Sequence, residues 1–167
     1  MLTPSQTVGP YFHDALLGCD AFISAEAPGQ RVRIVGTVVD GAGEGVPDAM
    51  IEAWQGNCFS RVGTGAGGIF EFTTIHPSSA PTDRTTAAPR IDLVIFARGL
   101  LNHLVTRIYF PDEHSNERDP VLRLVPPARR ATLIAQRGPS HADAREATYR
   151  FDIVLQGGDE TVFFDVR

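Results

Sequence analysis

The sequence predicts an all-β protein, with an antiparallel β-sandwich core that carries an extended N-terminal arm and long loops. Short runs of alternating or β-branched apolar residues recur along the chain, and clusters of Gly and Pro separate them. No segment keeps a helical period for longer than about two turns. The 167 residues, of which 43% are apolar, suffice for one domain with its own hydrophobic core.

The first 30 residues are expected to form an extended arm, because Pro4, Pro10 and Pro28 disfavour helix. Residues 31–167 form the sandwich domain. Its predicted strands are, in order, Arg31–Asp40, Ala49–Gln55, Ile69–Ile75, Ile91–Arg98, His103–Phe110, Ala131–Arg137, Thr148–Leu155 and Glu160–Val166. Residues 99–102 are expected to connect a hairpin, and residues 157–159 to form a tight turn.

Two stretches interrupt the succession of strands. Gly56–Gly68 is rich in Gly, and Pro77–Pro89 is rich in Pro, Ser, Thr and Ala. Both are predicted to be loops, which on a β scaffold often carry function.

Composition and charge exclude several classes of function. A net charge of −5 argues against binding to nucleic acid or to an anionic membrane. All 15 basic residues are Arg, so no Lys is available for Schiff-base chemistry. The N-terminus lacks the basic and apolar regions of a signal peptide, and Cys19 and Cys58 are expected to be reduced thiols, which together favour the cytoplasm.

The sequence offers no recognisable metal or nucleophile motif. On a β-strand, residues i and i+2 lie on the same face, so a strand-borne metal site needs two His at that spacing. None of the five histidines has another His two residues away. Residues 112–114, Asp-Glu-His, follow Pro111 and are interpreted as a solvated turn. There is no G-x-S-x-G elbow, and the Gly-rich run 63–68 has no Lys-Ser/Thr after it, which excludes a P-loop.

Two features remain open at this point. Arg98 ends an apolar strand, and its guanidinium either reaches solvent or is aimed at a carboxylate or phosphate. The arm contains adjacent aromatics, Tyr11 and Phe12, which need burial on the domain itself or on a partner. Gly9 would permit close approach of a neighbouring backbone.

Several segments in this order resemble the intradiol ring-cleavage dioxygenases, and in particular the α chains of their hetero-oligomeric members. The resembling segments span nearly the whole chain: Thr3–His13 (TPSQTVGPYFH), Val46–Gln55 (VPDAMIEAWQ), Ile69–Pro77 (IFEFTTIHP), Ile95–Gly99 (IFARG), Thr106–Phe110 (TRIYF), Pro120–Leu124 (PVLRL), Arg129–Arg137 (RRATLIAQR) and Tyr149–Asp165 (YRFDIVLQGGDETVFFD).

The resemblance implies a β-sandwich shared by α and β chains, with Fe(III) held by two Tyr and two His in the iron-bearing chain. The matching positions here lack all four ligands. Gly56–Gly68 contains no Tyr, Ala80 stands where the second Tyr is expected, and Arg90 and Asp92 stand in place of the His-x-His pair. Since Fe(III) prefers anionic oxygen and imidazole ligands, the resemblance implies a metal-free counterpart of the iron pocket.

The resemblance also implies a partner and a role. An iron-bearing β subunit of the same fold would assemble with this chain as (αβ)n and cleave protocatechuate with O2 to 3-carboxy-cis,cis-muconate. By the same resemblance, Thr7, Gly9, Pro10, Tyr11 and Arg98 would line the substrate-binding mouth of the partner's site, with no catalytic residue and no metal in this chain.

Two alternatives stay open beside this interpretation. One is a stand-alone transthyretin-like or immunoglobulin-like binding module with no catalytic role. The other is an iron dioxygenase that recruits unusual ligands such as Asp92, His76 or His103.

Overall fold

The computed structural model describes residues 6–9, 11–17, 29–56, 58–78, 80–81, 86–139 and 146–165. Its strands are β1 Arg31–Val39, β2 Ala49–Gln55, β3 Cys58–Gly63, β4 Ile69–Ile75, β5 Ala80–Pro81, β6 Thr86–Ala87, β7 Arg90–Ala97, β8 Leu104–Tyr109, β9 Gln136–Arg137, β10 Ala147–Arg150 and β11 Ile153–Val154. One short α-helix, α1 (Phe12–Leu16), and four 3-10 helices (Ala66–Gly68, His114–Arg118, Leu122–Leu124, Pro127–Leu133) complete the described elements. The predicted all-β fold class is confirmed, and none of the helices described has the length and apolar character needed to cross a membrane.

The first sheet is built around β1. One edge of β1 pairs with β4 in antiparallel orientation, and the other edge pairs in parallel with β10 and then with β11. β9 adds to β10 in antiparallel orientation. The predicted antiparallel sandwich holds as a fold class, but this sheet is mixed, because β10 and β11 return to β1 after long connections and not through hairpins.

The second sheet is antiparallel throughout, in the order β3-β2-β7-β8. β7 and β8 form the hairpin predicted around residues 99–102. Its turn begins after Ala97, whose carbonyl accepts a hydrogen bond from the Leu100 N–H, and Gly99 adopts φ +89°, which a side chain would disfavour.

The main core lies between the two sheets. Alternate residues of β1 and β7 point into it, including Val32, Ile34, Ile91, Leu93 and Ile95. A second apolar cluster covers the opposite face of the second sheet: Ala88, Tyr109, Leu122, Val125 and Leu133. Since Ile108 lies in the first cluster and Tyr109 in the second, β8 is buried on both faces. The polar face of β7 lies on the same side of the sheet as this second cluster.

The prediction of a loop over Gly56–Gly68 is wrong for its first half, because residues 58–63 form β3. Cross-strand pairs hold β3 on β2: the Arg61 side chain donates two hydrogen bonds to Glu52 at 2.6 and 2.9 Å, and the Trp54 and Phe59 rings lie 4.4 Å apart. Gly56 (φ +54°) lies in the two-residue Gly-Asn connection, a recognised hairpin sequence that would have revealed the strand.

The predicted loop over residues 77–89 contains a minimal ladder, β5 with β6. Residues 79 and 82–85 of this stretch lie outside the described residues.

Two predicted strands near the C-terminus are also wrong. Residues 127–133 form a 3-10 helix that begins with Pro127, and only Gln136 and Arg137 are strand. Residues 160–165 join no ladder; the Thr161 N–H bonds to the first sheet at Val154, and the Phe164 N–H bonds to the second sheet at Val105. This segment therefore connects the two sheets.

The predicted strand over Thr148–Leu155 is interrupted between β10 and β11. At the interruption Asp152 Oδ1 accepts the hydrogen bond of the Thr37 N–H at 3.0 Å, in place of a backbone carbonyl. The Phe151 carbonyl approaches Gly36 so closely that a Cβ on Gly36 would lie 1.9 Å from its oxygen. A glycine is therefore required at this point of β1.

The expectation of an extended arm is wrong at Phe12–Leu16, where α1 forms. Phe12 is buried, the Leu17 side chain lies over Gly63 of β3, and the Leu16 carbonyl accepts a 3.5 Å hydrogen bond from Arg61. These contacts dock the helix on the edge strand of the second sheet, which offsets the weak helical tendency of so short a segment. Pro4, Pro10 and Pro28, on which the expectation rested, lie outside the described residues, as does Cys19.

Candidate functional site

A cavity of about 230 Å³ opens on the outer face of the second sheet. Its walls come from the end of β2, the segment after β4 and the start of β7: Gln55, Gly56, Pro77, Ser78, Ala88, Arg90 and Asp92. These are the regions in which the resemblance located the missing iron ligands. The fold thus brings together stretches that lie more than 30 residues apart in the sequence.

Alternation along β7 explains why the cavity is charged. Ile91 and Leu93 face the core, so Arg90 and Asp92 share the opposite face. Directly across from Asp92 on β8 is Arg107, whose Nε lies 2.8 Å from Asp92 Oδ1. Arg90 Nε lies 3.5 Å from the same oxygen. One carboxylate oxygen is therefore shared by two guanidinium groups.

These residues do not fit a ferric ion. A guanidinium carries a permanent positive charge and has no lone pair to donate, so Arg90 opposes a cation in the cavity. Asp92 is the one carboxylate of the lining, and it is already engaged by two arginines. Within the part of the chain that the structure describes, no three His, Cys, Asp or Glu side chains are grouped so as to hold a metal ion.

The wall beneath the cavity is fixed by Asp119, which is fully buried. Its carboxylate accepts hydrogen bonds from the Ala88 N–H, the Tyr109 hydroxyl, and the N–H groups of Val121 and Leu122, all at 2.9–3.0 Å. This set satisfies a buried charge that would otherwise be costly. Ala88 belongs to the cavity lining, so Asp119 ties the cavity to the outer 3-10 segments.

This environment makes the Tyr109 hydroxyl less acidic. Burial raises the pKa of Tyr109 to about 12; the nearby Arg107 opposes the rise and Asp119 adds to it. The hydroxyl therefore remains a donor to Asp119 at neutral pH.

Arg98 lies at the opposite end of β7, at the first position of the β7–β8 turn. Its Nε lies 2.9 Å from Asp48 Oδ2. The Arg98 side chain is 67% exposed whereas that of Asp48 is 17% exposed, so the carboxylate anchors a guanidinium that projects outward. The sequence analysis missed Asp48, although its place one residue before β2 and the Ala49–Ala97 pairing put it beside Arg98.

The helix α1, which follows the predicted arm residues, lies apart from Arg98. Thr7 and Tyr11 are exposed, Tyr11 to 79%, and Gly9 adopts φ +78°; Pro10 lies outside the described residues. α1 contacts β3, which is separated from β7 by β2. Thus the fold places α1 and Arg98 on the same sheet but two strands apart, and no cavity found among the described residues is lined by Thr7, Gly9, Tyr11 or Arg98.

The unusual iron ligands considered from the sequence are not brought together. His76 packs 4.4 Å from the Phe110 ring, His103 packs 5.7 Å from Phe96, and Asp92 lies in the charged cavity. Each of the three therefore has a different structural environment.

Curated relatives match almost the entire chain. The α chain of protocatechuate 3,4-dioxygenase from Burkholderia cepacia is 41% identical, with 98% of this chain and 97% of the relative covered. The α chain from Pseudomonas putida is 38% identical, with 98% and 96% covered. The β chain from Burkholderia cepacia is 30% identical, with 94% and 77% covered. No protein-family model matches.

Solved structures agree on the fold. The dioxygenase domain of a dioxygenase and carbohydrate-binding protein fusion from Streptomyces sp. SirexAA-E aligns with a TM-score of 0.68 at 24% identity, covering 97% of this chain and 100% of that one. An intradiol ring-cleavage dioxygenase from Tetranychus urticae aligns with a TM-score of 0.66 at 17% identity, covering 92% and 94%. These structures show the fold that the chain shares, and the identity to the two α chains over nearly the whole sequence shows that the protein belongs to the protocatechuate 3,4-dioxygenase alpha-chain family.

Proposed function

We propose that the chain is the iron-free α subunit of a protocatechuate 3,4-dioxygenase, an α/β hetero-oligomer that cleaves protocatechuate to 3-carboxy-cis,cis-muconate with O2. The observation that carries the proposal is the 41% identity to an α chain over 98% of this sequence. Alpha-chain and β-chain relatives from one organism both match, which supports a partner of the same fold. The stand-alone binding module gains no support from these relatives.

The Fe(III) that supplies the ring-cleavage chemistry would be held by the β subunit. Arg90 and Asp92 stand where the family's iron-bearing chain has histidines, and the guanidinium of Arg90 opposes a cation. This chain would therefore contribute binding and assembly, in the cytoplasm, and not the oxidation itself.

Arg98 would recognise the substrate carboxylate at the mouth of the β subunit's site. Its Nε is held by Asp48, so the side chain has a defined direction, and two-thirds of it is available to a ligand. A guanidinium and a carboxylate form charge-assisted hydrogen bonds, which strengthen as the mouth is closed off from water by the partner.

The arm would complete the same mouth. Thr7, Gly9, Pro10 and Tyr11 are the arm residues assigned to it by the resemblance, and Tyr11 offers a large exposed ring to the partner. Since α1 docks on β3, two strands from Arg98, the β subunit would have to contact both the arm and Arg98 to form one mouth.

The test is steady-state kinetics of the complex with an iron-bearing β chain, comparing wild type with Arg98→Gln. Loss of one charge-assisted contact should raise KM for protocatechuate by about tenfold or more, with iron content unchanged. Catechol lacks the carboxylate, so the wild type and Arg98→Gln should have the same KM for catechol. Arg33→Gln, which removes an exposed ion pair with Glu71 on the other sheet, is the matched control and should leave KM unchanged.

An equal change in KM for protocatechuate and catechol would remove the carboxylate role from Arg98. Unchanged kinetics with both substrates would remove Arg98 from the site altogether.

A further inference from the structure

The cavity that carries Arg90 has the features of an anion site, although the resemblance accounts for it only as a place where iron ligands are missing. Two guanidinium groups converge there on a single carboxylate oxygen. The cavity of about 230 Å³ is large enough for a small organic acid or an inorganic oxyanion together with water.

Arg90 is the group whose bonding is incomplete. Its Nε is buried and makes no hydrogen bond to any described residue, while its contact with Asp92 is long, at 3.5 Å. Asp92 is closer to Arg107, at 2.8 Å, so the carboxylate is engaged more by Arg107 than by Arg90. The ion pair with Asp92 therefore leaves the Arg90 guanidinium unsaturated, and the part of that side chain that lines the cavity is available to an oxyanion.

Other donors line the same cavity. The Thr74 hydroxyl donates to Gln55 Oε1 at 3.0 Å, which leaves the amide N–H₂ of Gln55 as a donor. Ser78 adds a hydroxyl to the lining. A guanidinium, an amide and a hydroxyl around one space match the several oxygens of a carboxylate or phosphate.

Arg107 is unavailable for this role and instead fixes the position of Asp92. It is held by Asp92, and its guanidinium lies 5.5 Å from the centre of the Phe164 ring. The guanidinium that would meet a ligand is therefore that of Arg90 alone, and the Asp92 carboxylate competes with the ligand for it.

We propose that this cavity binds a small oxyanion, a carboxylate or a phosphate, through the Arg90 guanidinium and the donors of Gln55 and Ser78. The site belongs to this chain and needs neither iron nor the β subunit. Its failure would therefore leave the proposed function untouched, and failure of the proposed function would leave this site in place.

The experiment is calorimetric titration of the full chain with sodium phosphate and, separately, with sodium acetate and sodium benzoate, at constant pH and ionic strength, with sodium chloride as reference. Saturable binding of at least one oxyanion is expected. Comparison of the phosphate titration with the acetate and benzoate titrations shows whether the site prefers a phosphate or a carboxylate. Arg90→Gln should weaken it by about tenfold or more. Arg137→Gln, which removes an exposed arginine that pairs with Asp112 at 3.0 Å outside the cavity, should bind as wild type does.

Asp92→Asn gives an independent measurement if Arg90→Gln fails to fold. Removing the internal competitor should tighten oxyanion binding, an effect that a purely structural ion pair would not produce. In the wild-type chain labelled with ¹⁵N, the Arg90 Nε–H resonance should move during the same titration. No saturable binding, or equal binding by wild type and Arg90→Gln, would overturn the proposal.

Discussion

At the scale of single residues, the structure concentrates its polar chemistry on one side of the second sheet. Asp119 is completely buried and accepts hydrogen bonds from four donors, one of which is the Ala88 N–H. Arg90, two residues after Ala88, has a buried Nε–H donor with no acceptor among the described residues. The first group is saturated and structural. The second is unsaturated, and it is the group that we assign to a ligand.

Tyr109 provides a prediction of pH dependence. Its pKa is raised by burial to about 12 from an ordinary value of 10, so the folded state holds the proton more tightly than the unfolded state. This contribution to the free energy of unfolding is present in full below pH 10. As the pH rises from about 10 to about 12 the contribution is lost, which lowers the free energy of unfolding by roughly 2 kcal/mol. Urea unfolding measured across this range should show the loss.

Tyr109→Phe is the comparison that isolates this effect. Burial raises the pKa of Tyr149 as well, so the variant should keep a shallower decline and lose the part that belongs to Tyr109. It should also be less stable at pH 7, since Asp119 loses one donor. The same alkaline slope in both proteins would contradict the assigned cause.

At the scale of elements, β1 is the strand on which the first sheet depends, because it pairs with β4 on one edge and with β10 and β11 on the other. The alternating pattern of β-branched residues in its sequence predicted this strand correctly. The parallel neighbours could not be predicted, since parallel pairing is set by connections that carry no local signal.

Gly36→Ala tests the close approach at the centre of β1. The added methyl would lie 1.9 Å from the Phe151 carbonyl oxygen and 2.7 Å from the Phe70 ring, so β10 and β11 must shift. The free energy of unfolding should fall by about 2–3 kcal/mol, the range for overpacking. Chemical denaturation measures the change.

Gly158→Ala is the matched control for the same substitution. Nothing lies within 4 Å of its added Cβ, and its φ is not in the left-handed region. Stability should be unchanged or slightly higher, because the unfolded chain loses freedom. Equal destabilisation by both substitutions would show that the close contact at Gly36 has no part in it.

At the scale of the whole molecule, the exposed apolar residues bear on assembly with a partner. Among the described residues, five large apolar side chains are exposed: Tyr11, Trp54, Ile69, Leu101 and Leu124. Single exposed apolar residues are common on any protein, but Tyr11 belongs to the arm that the resemblance assigns to the partner.

Co-expression with a tagged β chain that carries all four iron ligands should give a stable complex in which the iron belongs to the β chain. The α chain purified alone should be colourless. Tyr11→Ser should lower the amount of α chain retained with the β chain. Ile69→Ser, which also removes an exposed apolar side chain but lies on the first sheet, should not. A tyrosinate-to-iron absorption band in the isolated α chain would contradict the assignment of the metal.

Alternation and motif order are local properties of the chain, so the fold class and most core strands could be predicted from the sequence alone, whereas the vacant iron-ligand positions are an implication of the family resemblance. Local signals failed where long-range contacts decide: β3 forms on Glu52 and Trp54, residues 127–133 become a 3-10 helix, and residues 160–165 connect the two sheets. The charged cavity likewise depends on tertiary structure. Only the pairing of β7 with β8 brings Asp92 against Arg107 and leaves the Arg90 Nε without a hydrogen-bond partner among the described residues, because residues distant in the sequence meet only in the folded sheet.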